Sequence, residues 1–253
     1  WDMVADNYYN DYHVEIPYQI VTIRTPKQLC SDFFFAGSLY HEMGHFVDAY
    51  YNITDEVLQR IKKRLSTESE KDRIYNEFFP HIKTAINKDG TEDESIRDKI
   101  LEAHIGEYIA DIFGTQYLSM HIGNHIEYNS LGYYDVDSDS HPSPIRRANM
   151  KVAFLNDDTS NFVMTDIKDV FKDSGHPLSL KIHRITNNRE LIKGSPIDIC
   201  NDAELHSIFY LGWEIYFAGR SNMEFVNSMP LNSMTQHDFY CRLNNAVRES
   251  IKL

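Results

Sequence analysis

The sequence predicts a predominantly helical α+β fold, and three observations carry that prediction. Apolar residues recur at helical spacing through most of the chain. Only two short stretches are rich in β-branched residues, "HVEIPYQIVTI" (13–23) and "LSLKIHRIT" (178–186). Helix boundaries are marked by capping residues and prolines.

The elements follow in order. Residues 13–23 read as a strand that stops at Pro26, and Pro17 inside it suits an edge position, where a missing N–H is tolerated. From Pro26 to about Tyr51 nothing breaks a helix except small residues. "TDEVLQRIKKRL" and "SEKDRIYNEFF" give shorter charged helices, the second ended by Pro80. "NKDG" is a loop, and "TEDE" reads as a capping box of Thr91 and Glu94 opening a long helix to about Met120. "GYYDVDSDSHPSP" (132–144) is a loop. Helices are expected around 145–155, 160–173, 203–219 and 236–252, with the second β-like stretch at 178–186. No internal repeat or low-complexity linker interrupts this order.

Composition narrows the function. At 253 residues the chain suits one sizeable domain, or a core with a helical appendage. A formal charge of −13 argues against nucleic-acid or anionic-membrane partners. Cys30, Cys200 and Cys241 are odd in number and widely spaced, which fits a reducing, cytoplasmic setting and excludes a thiolate zinc site of the usual spacing. No apolar run approaches the ~20 residues that cross a bilayer. No secretory leader is visible, and an opening on Trp1 leaves room for a segment upstream. "NIT" at Asn52 matches a glycosylation acceptor in the wrong compartment.

Chemistry concentrates in "SLYHEMGHFVDAYY" (38–51). Residues four apart on a helix lie ~6 Å apart along the axis on nearly one face, so His41 and His45 can direct ring nitrogens at one ion. Glu42, turned ~100° away, flanks that ion and can hold a water. Apolar "FFFAGSLY" upstream makes the helix a buried one, in which paired imidazoles need partners, and Gly44 removes a side chain beside the ion. A catalytic zinc usually takes a third protein ligand. "EAHIGEYIADIFGTQY" (102–117) offers Glu107 as that ligand, and Asp111, one turn on, as acceptor of a ligand histidine's outer N–H. Bare carboxylates in so apolar a setting are costly without such roles.

HEMGH followed by "GEYIADIFGTQY" resembles the gluzincin metallopeptidases, which combine HExxH with a glutamate in an E-x-x-x-D helix. The wide separation of the two motifs is more similar to the clan of HtpX-type and CAAX prenyl protease-type enzymes. Those carry a later H-P-x-x-x-x-R element, matched here by His141, Pro142 and Arg147 of "HPSPIRR". The resemblance covers about 13–155. It implies a zincin-like core with a small sheet over 1–155, and leaves 156–253 as a helical region packed upon it. It further implies Zn2+ on His41, His45 and Glu107, with Glu42 as general base and Asp111 as outer-sphere acceptor. His141 then lies near the metal and Arg147 pairs with an acid of the 107–111 turn. Gly106 stands where thermolysin-type enzymes prefer Asn, and the lack of a membrane span implies a soluble variant.

The expected activity is peptide-bond hydrolysis on a protein or peptide substrate. Two other readings stay open: an interaction or regulatory protein with a structural or silenced zinc site, and a narrow host-protein protease of a phage-defence type. Other features are set aside. "DVDSD" (135–139) starts like a calcium loop, but Ser140 and Arg146 occupy the glycine and glutamate positions. His121 and His125 read as a frayed helix end. Cys30 is ~16 Å from His41 along a common helix. His104 reads as a core or outer-sphere histidine, and Tyr40 and Tyr108 point off the ligand face.

Overall fold

The computed structural model describes residues 32–118, 136–173, 180–181, 189–219 and 234–252. Helices dominate these residues, and no sheet occurs among them; Ile86 and Glu92 form an isolated antiparallel bridge. The expected strand at 13–23 lies outside the described residues. Of the stretch at 178–186 only 180–181 are described, and these are not in a strand. The small sheet of a zincin core therefore has no counterpart among the described residues. Cys30, His121 and His125 also lie outside them.

A 3-10 turn, Phe33–Phe35, leads into α1, Ala36–Tyr51. The helix stops where Asn52 turns left-handed (φ 57°), a conformation Asn tolerates better than most side chains. Helix α2, Ile53–Leu65, begins at once. Asp48 holds the corner, its carboxylate accepting from the Thr54 N–H and the Thr54 hydroxyl, both at 2.6 Å. With its hydroxyl engaged there and Ile53 fully buried, the "NIT" tripeptide is part of the helix junction.

Helix α3, Glu68–Arg73, runs on as a π turn over Ile74–Phe78, and Pro80 opens a 3-10 turn, Pro80–Thr84. Helix α4, Glu94–Leu118, then spans the protein. Its cap differs from the expected Thr91–Glu94 box. Asp93 is the capping residue, its carboxylate accepting from the Ile96 N–H at 3.1 Å. Thr91 is held instead by Asp89, which accepts from both its N–H and its hydroxyl. Aspartate competes well for a cap position, and here it is two residues nearer the helix than Thr91.

Helix α5, Pro144–Leu155, starts with proline at its first position behind a Ser143 cap. The remaining helices are α6, Phe162–Asp173, α7, Arg189–Ile192, α8, Asp202–Ala218, and α9, Gln236–Lys252. Their bounds fall within about two residues of those read from periodicity, apart from the four-residue α7, which periodicity did not reveal.

Almost every residue of α4 from Ile100 onward is buried. A helix buried all round needs neighbours on all sides. They are α1, α2, α5 and α8. One apolar cluster joins α2, the 74–85 turns, α4, α5 and α6 around Ile61, Ile105 and Ile167. A second joins Phe33 and Leu118 to α7, α8 and α9 around Leu211, Phe239 and Leu243. Arg64 links α2 to α6 through both oxygens of the buried Asp166, at 2.8 and 2.9 Å. Among the described residues no helix is long and apolar enough to cross a membrane.

Candidate metal centre

Two facing helices build the site, α1 with the histidines and α4 with the carboxylates. Gly44 sets how close they come. A Cβ there would lie 2.6 Å from the Ala110 Cα and 2.9 Å from the Ala110 carbonyl oxygen, both rigid backbone atoms. The expectation that Gly44 clears space beside an ion is corrected: it clears space for α4 itself. Gly44→Ala is expected to force the helices apart, costing about 1–3 kcal/mol of overpacking against a helix-propensity gain of at most about 1. Metal affinity should fall with it. Denaturant midpoints and a metal titration of the variant check both.

His41, His45 and Glu107 meet in space. One donor atom from each lies within 4.8 Å of the others. The His41 and His45 Nε2 atoms are 3.1 Å apart, His41 Nε2 is 3.5 Å from Glu107 Oε2, and His45 Nε2 is 3.3 Å from Glu107 Oε1. Tetrahedral bonds of 2.0–2.1 Å separate donor atoms by roughly 3.3 Å, so the spacing fits a tetrahedral ion. The hydrogen bonding fits it too. Glu107 Oε2 and His41 Nδ1 are buried and make no aligned hydrogen bond among the described residues. Buried polar atoms are seldom left so, and an ion would engage the Glu107 oxygen directly. The group can hold a metal ion.

Around this trio sits a charged frame. Asp111 is fully buried and takes Arg147 in a fork, Nε to Oδ2 at 2.7 Å and Nη2 to Oδ1 at 2.8 Å. His41 Nδ1 lies 3.2 Å from Asp111 Oδ1, off the hydrogen-bonding direction. Arg147 Nη2 also approaches Glu107 Oε2 at 3.2 Å. Burial alone would raise the Asp111 carboxyl. Lys151 and Arg147 overcome it and hold the group far below the usual carboxylate range. Glu107 is likewise pulled below its ordinary value: burial pushes up, while His45, Arg147 and His41 pull down more strongly. Burial opposes the charge on His45, yet Glu107, Glu42 and Asp48 together raise it.

Glu42 is exposed on α1 and lies near enough to act on His45. His141 comes from the loop before α5, with Nε2 3.4 Å from Glu107 Oε1 and Nδ1 2.8 Å from the Ser140 hydroxyl. The Asp137 carboxylate, in the stretch resembling a calcium loop, is engaged by the Ser143 N–H and by Arg146. Tyr108 is buried and donates to the Phe78 carbonyl, and Tyr40 stacks on Tyr117, so neither faces the trio's donors.

Lys151 is the residue that sequence reasoning passed over. It is 1% exposed and bears on Asp111 from α5. Its signal was available: Arg147 and Lys151 are four apart and share a helix face. Asp48, three residues beyond His45, was also missed, and nothing in its spacing marks it as the corner of α1 and α2. No family model, curated protein or solved structure matches this chain.

Proposed function

We propose that the chain is a zinc-dependent metallopeptidase. The observation that supports it is the convergence of two imidazoles and one carboxylate at tetrahedral spacing, with an exposed carboxylate, Glu42, one residue from the first imidazole. Zinc held by His41, His45 and Glu107 would bring the pKa of a water down to about 7 and polarise a peptide carbonyl.

The chain's own groups supply the rest. Glu42 takes a proton from the attacking water at its carboxylate and returns it to the leaving nitrogen. With His141 Nδ1 accepting from the Ser140 hydroxyl 2.8 Å away, Nε2 would carry the N–H that donates to the developing oxyanion. Asp111, clamped by Arg147 3.2 Å from His41 Nδ1, would accept the outer N–H of that ring and orient it once the other nitrogen holds the ion. The substrate class is a peptide or unfolded protein segment, and α1 and the His141 loop flank it.

One observation favours a second reading, a regulatory protein with a silenced site. Arg147 already approaches Glu107 Oε2, so the acids are balanced without an ion. The two readings separate experimentally. The hydrolase is expected to bind one zinc per chain and to cleave peptides in a chelator-sensitive way. His141→Ala should then lower turnover more than tenfold, at the lower end of what an oxyanion donor contributes, with zinc content unchanged. Zinc binding without cleavage of any peptide library would favour the silenced site, and a fully active His141→Ala protein would remove His141 from the mechanism.

A further inference from the structure

The loop that delivers His141 is folded on itself. The Ser138 N–H donates to the His141 carbonyl at 2.9 Å, the His141 N–H to the Ser138 hydroxyl at 3.0 Å, and the Ser143 N–H to Asp137 Oδ1 at 2.8 Å. Internal bonds make a turn stiff but do not dock it. Arg146 of α5 holds Asp137 at one end of the loop, and toward α4 and the 80–84 turn docking comes through two imidazoles stacked 6.2 Å apart. His104, on α4, donates from Nε2 to the Ser138 carbonyl at 2.7 Å. His81, in the Pro80–Thr84 turn, reaches Asp139 Oδ1 at 2.8 Å.

We propose that His104, assisted by His81, is a positioning residue that sets His141 against Glu107. His104 and Glu107 are one turn apart on the same helix, so a single rigid element carries both the metal-side carboxylate and the anchor of the loop facing it. His104 is 0% exposed, and its Nδ1 is buried with no partner among the described residues. A buried ring nitrogen without a partner is destabilising, and an aliphatic side chain would fill the space without that penalty. What the imidazole alone contributes there is the bond to Ser138. The His81 contact is weaker support, because Asp139 is largely exposed and such pairs are screened.

The proposal rests on the hydrolase reading only for its activity arm, so the test has two arms. The first is amide hydrogen exchange in metal-free protein. His104→Leu is expected to speed exchange of the Ser138 and His141 N–H groups by about tenfold or more, with the interior amides of α4 unchanged. His104→Gln, whose amide can donate to the Ser138 carbonyl, should recover part of the protection. Should His104→Leu not fold, His81→Ala serves, with about threefold faster exchange at the same two amides. The second arm is turnover of the zinc-loaded protein. His104→Leu should lose about as much as His141→Ala, more than tenfold in kcat. The double variant should fall no further than either single one, because both act through one group. Bound zinc should stay at one per chain.

Unchanged exchange in His104→Leu, or losses that multiply in the double variant, overturns the proposal. A parent protein that hydrolyses nothing while His104→Leu exchanges faster leaves the anchor standing and removes the hydrolase. Active parent protein with unchanged exchange does the reverse.

Discussion

Glu42→Gln is expected to eliminate hydrolysis, by about 10³-fold or more, while bound zinc stays at one per chain. The expectation follows from where Glu42 stands. It is exposed on α1 and is not one of the three donor residues, so none of the ion's ligands is lost with its charge. An amide has the same shape and cannot take a proton. On the proposed mechanism the change removes the base and leaves the donors of the ion in place. Its electrostatic support of His45 also disappears, so the His45 imidazole should hold its proton less tightly in the metal-free variant than in the parent. Steady-state kinetics with metal analysis on the same preparation measures both quantities. An active Glu42→Gln protein would contradict the mechanism, and a zinc-free one would show that Glu42 holds the ion.

The largest effect on stability is expected at Asp111. Asp111→Ala takes from the buried Arg147 both bonds of its fork, leaving the 3.2 Å approach to Glu107 Oε2, and removes the charge that the buried Lys151 bears on. Removing one partner of a buried ion pair costs about 3–5 kcal/mol, so the variant should unfold at far lower denaturant or fail to accumulate. Asp111→Asn keeps the shape and part of the hydrogen bonding and should lose less. The sign of the pH dependence follows from the lowered folded-state pKa. The stabilisation from Asp111 is complete above its unfolded value of about 3.9 and is lost as pH falls toward the folded value. The parent should therefore lose stability steeply below about pH 4, and Asp111→Asn should lack that part of the slope. Urea unfolding from pH 7 to pH 3 measures it. A parallel pH dependence in the two proteins would mean that Asp111 is not the group involved.

Much of the helical framework was legible because helical periodicity and caps are local. The segments now called α5, α6, α8 and α9 needed only spacing and flanking residues. The cap of α4 was misread as Thr91, because which residue of a turn becomes the cap is decided by tertiary placement; the Asp93 N–H donates to the Ala85 carbonyl and fixes it there. At the site, His41 with His45 and Glu107 with Asp111 were legible as pairs, since four-residue spacing on a helix is a contact rule. Which of the two imidazoles Asp111 lies beside was not, because it depends on how α1 crosses α4, and that is set by Gly44 against Ala110. Lys151 went unassigned, and His104 was read only as a core or outer-sphere histidine, for the same reason. Their partners, Asp111 and the Ser138 carbonyl, come from other elements, and a single sequence carries no pattern that joins them.

The central claim is that this centre cuts polypeptides, and a search for new protein termini in cells tests it most directly. Cells expressing the parent chain and cells expressing Glu42→Gln are compared by labelling every free α-amino group before digestion, with zinc content of the two purified proteins matched. The account predicts new internal amino termini, at one or a few defined positions, in the parent sample and none of them with Glu42→Gln. Identical termini in both samples, from proteins that each carry one zinc, would contradict it.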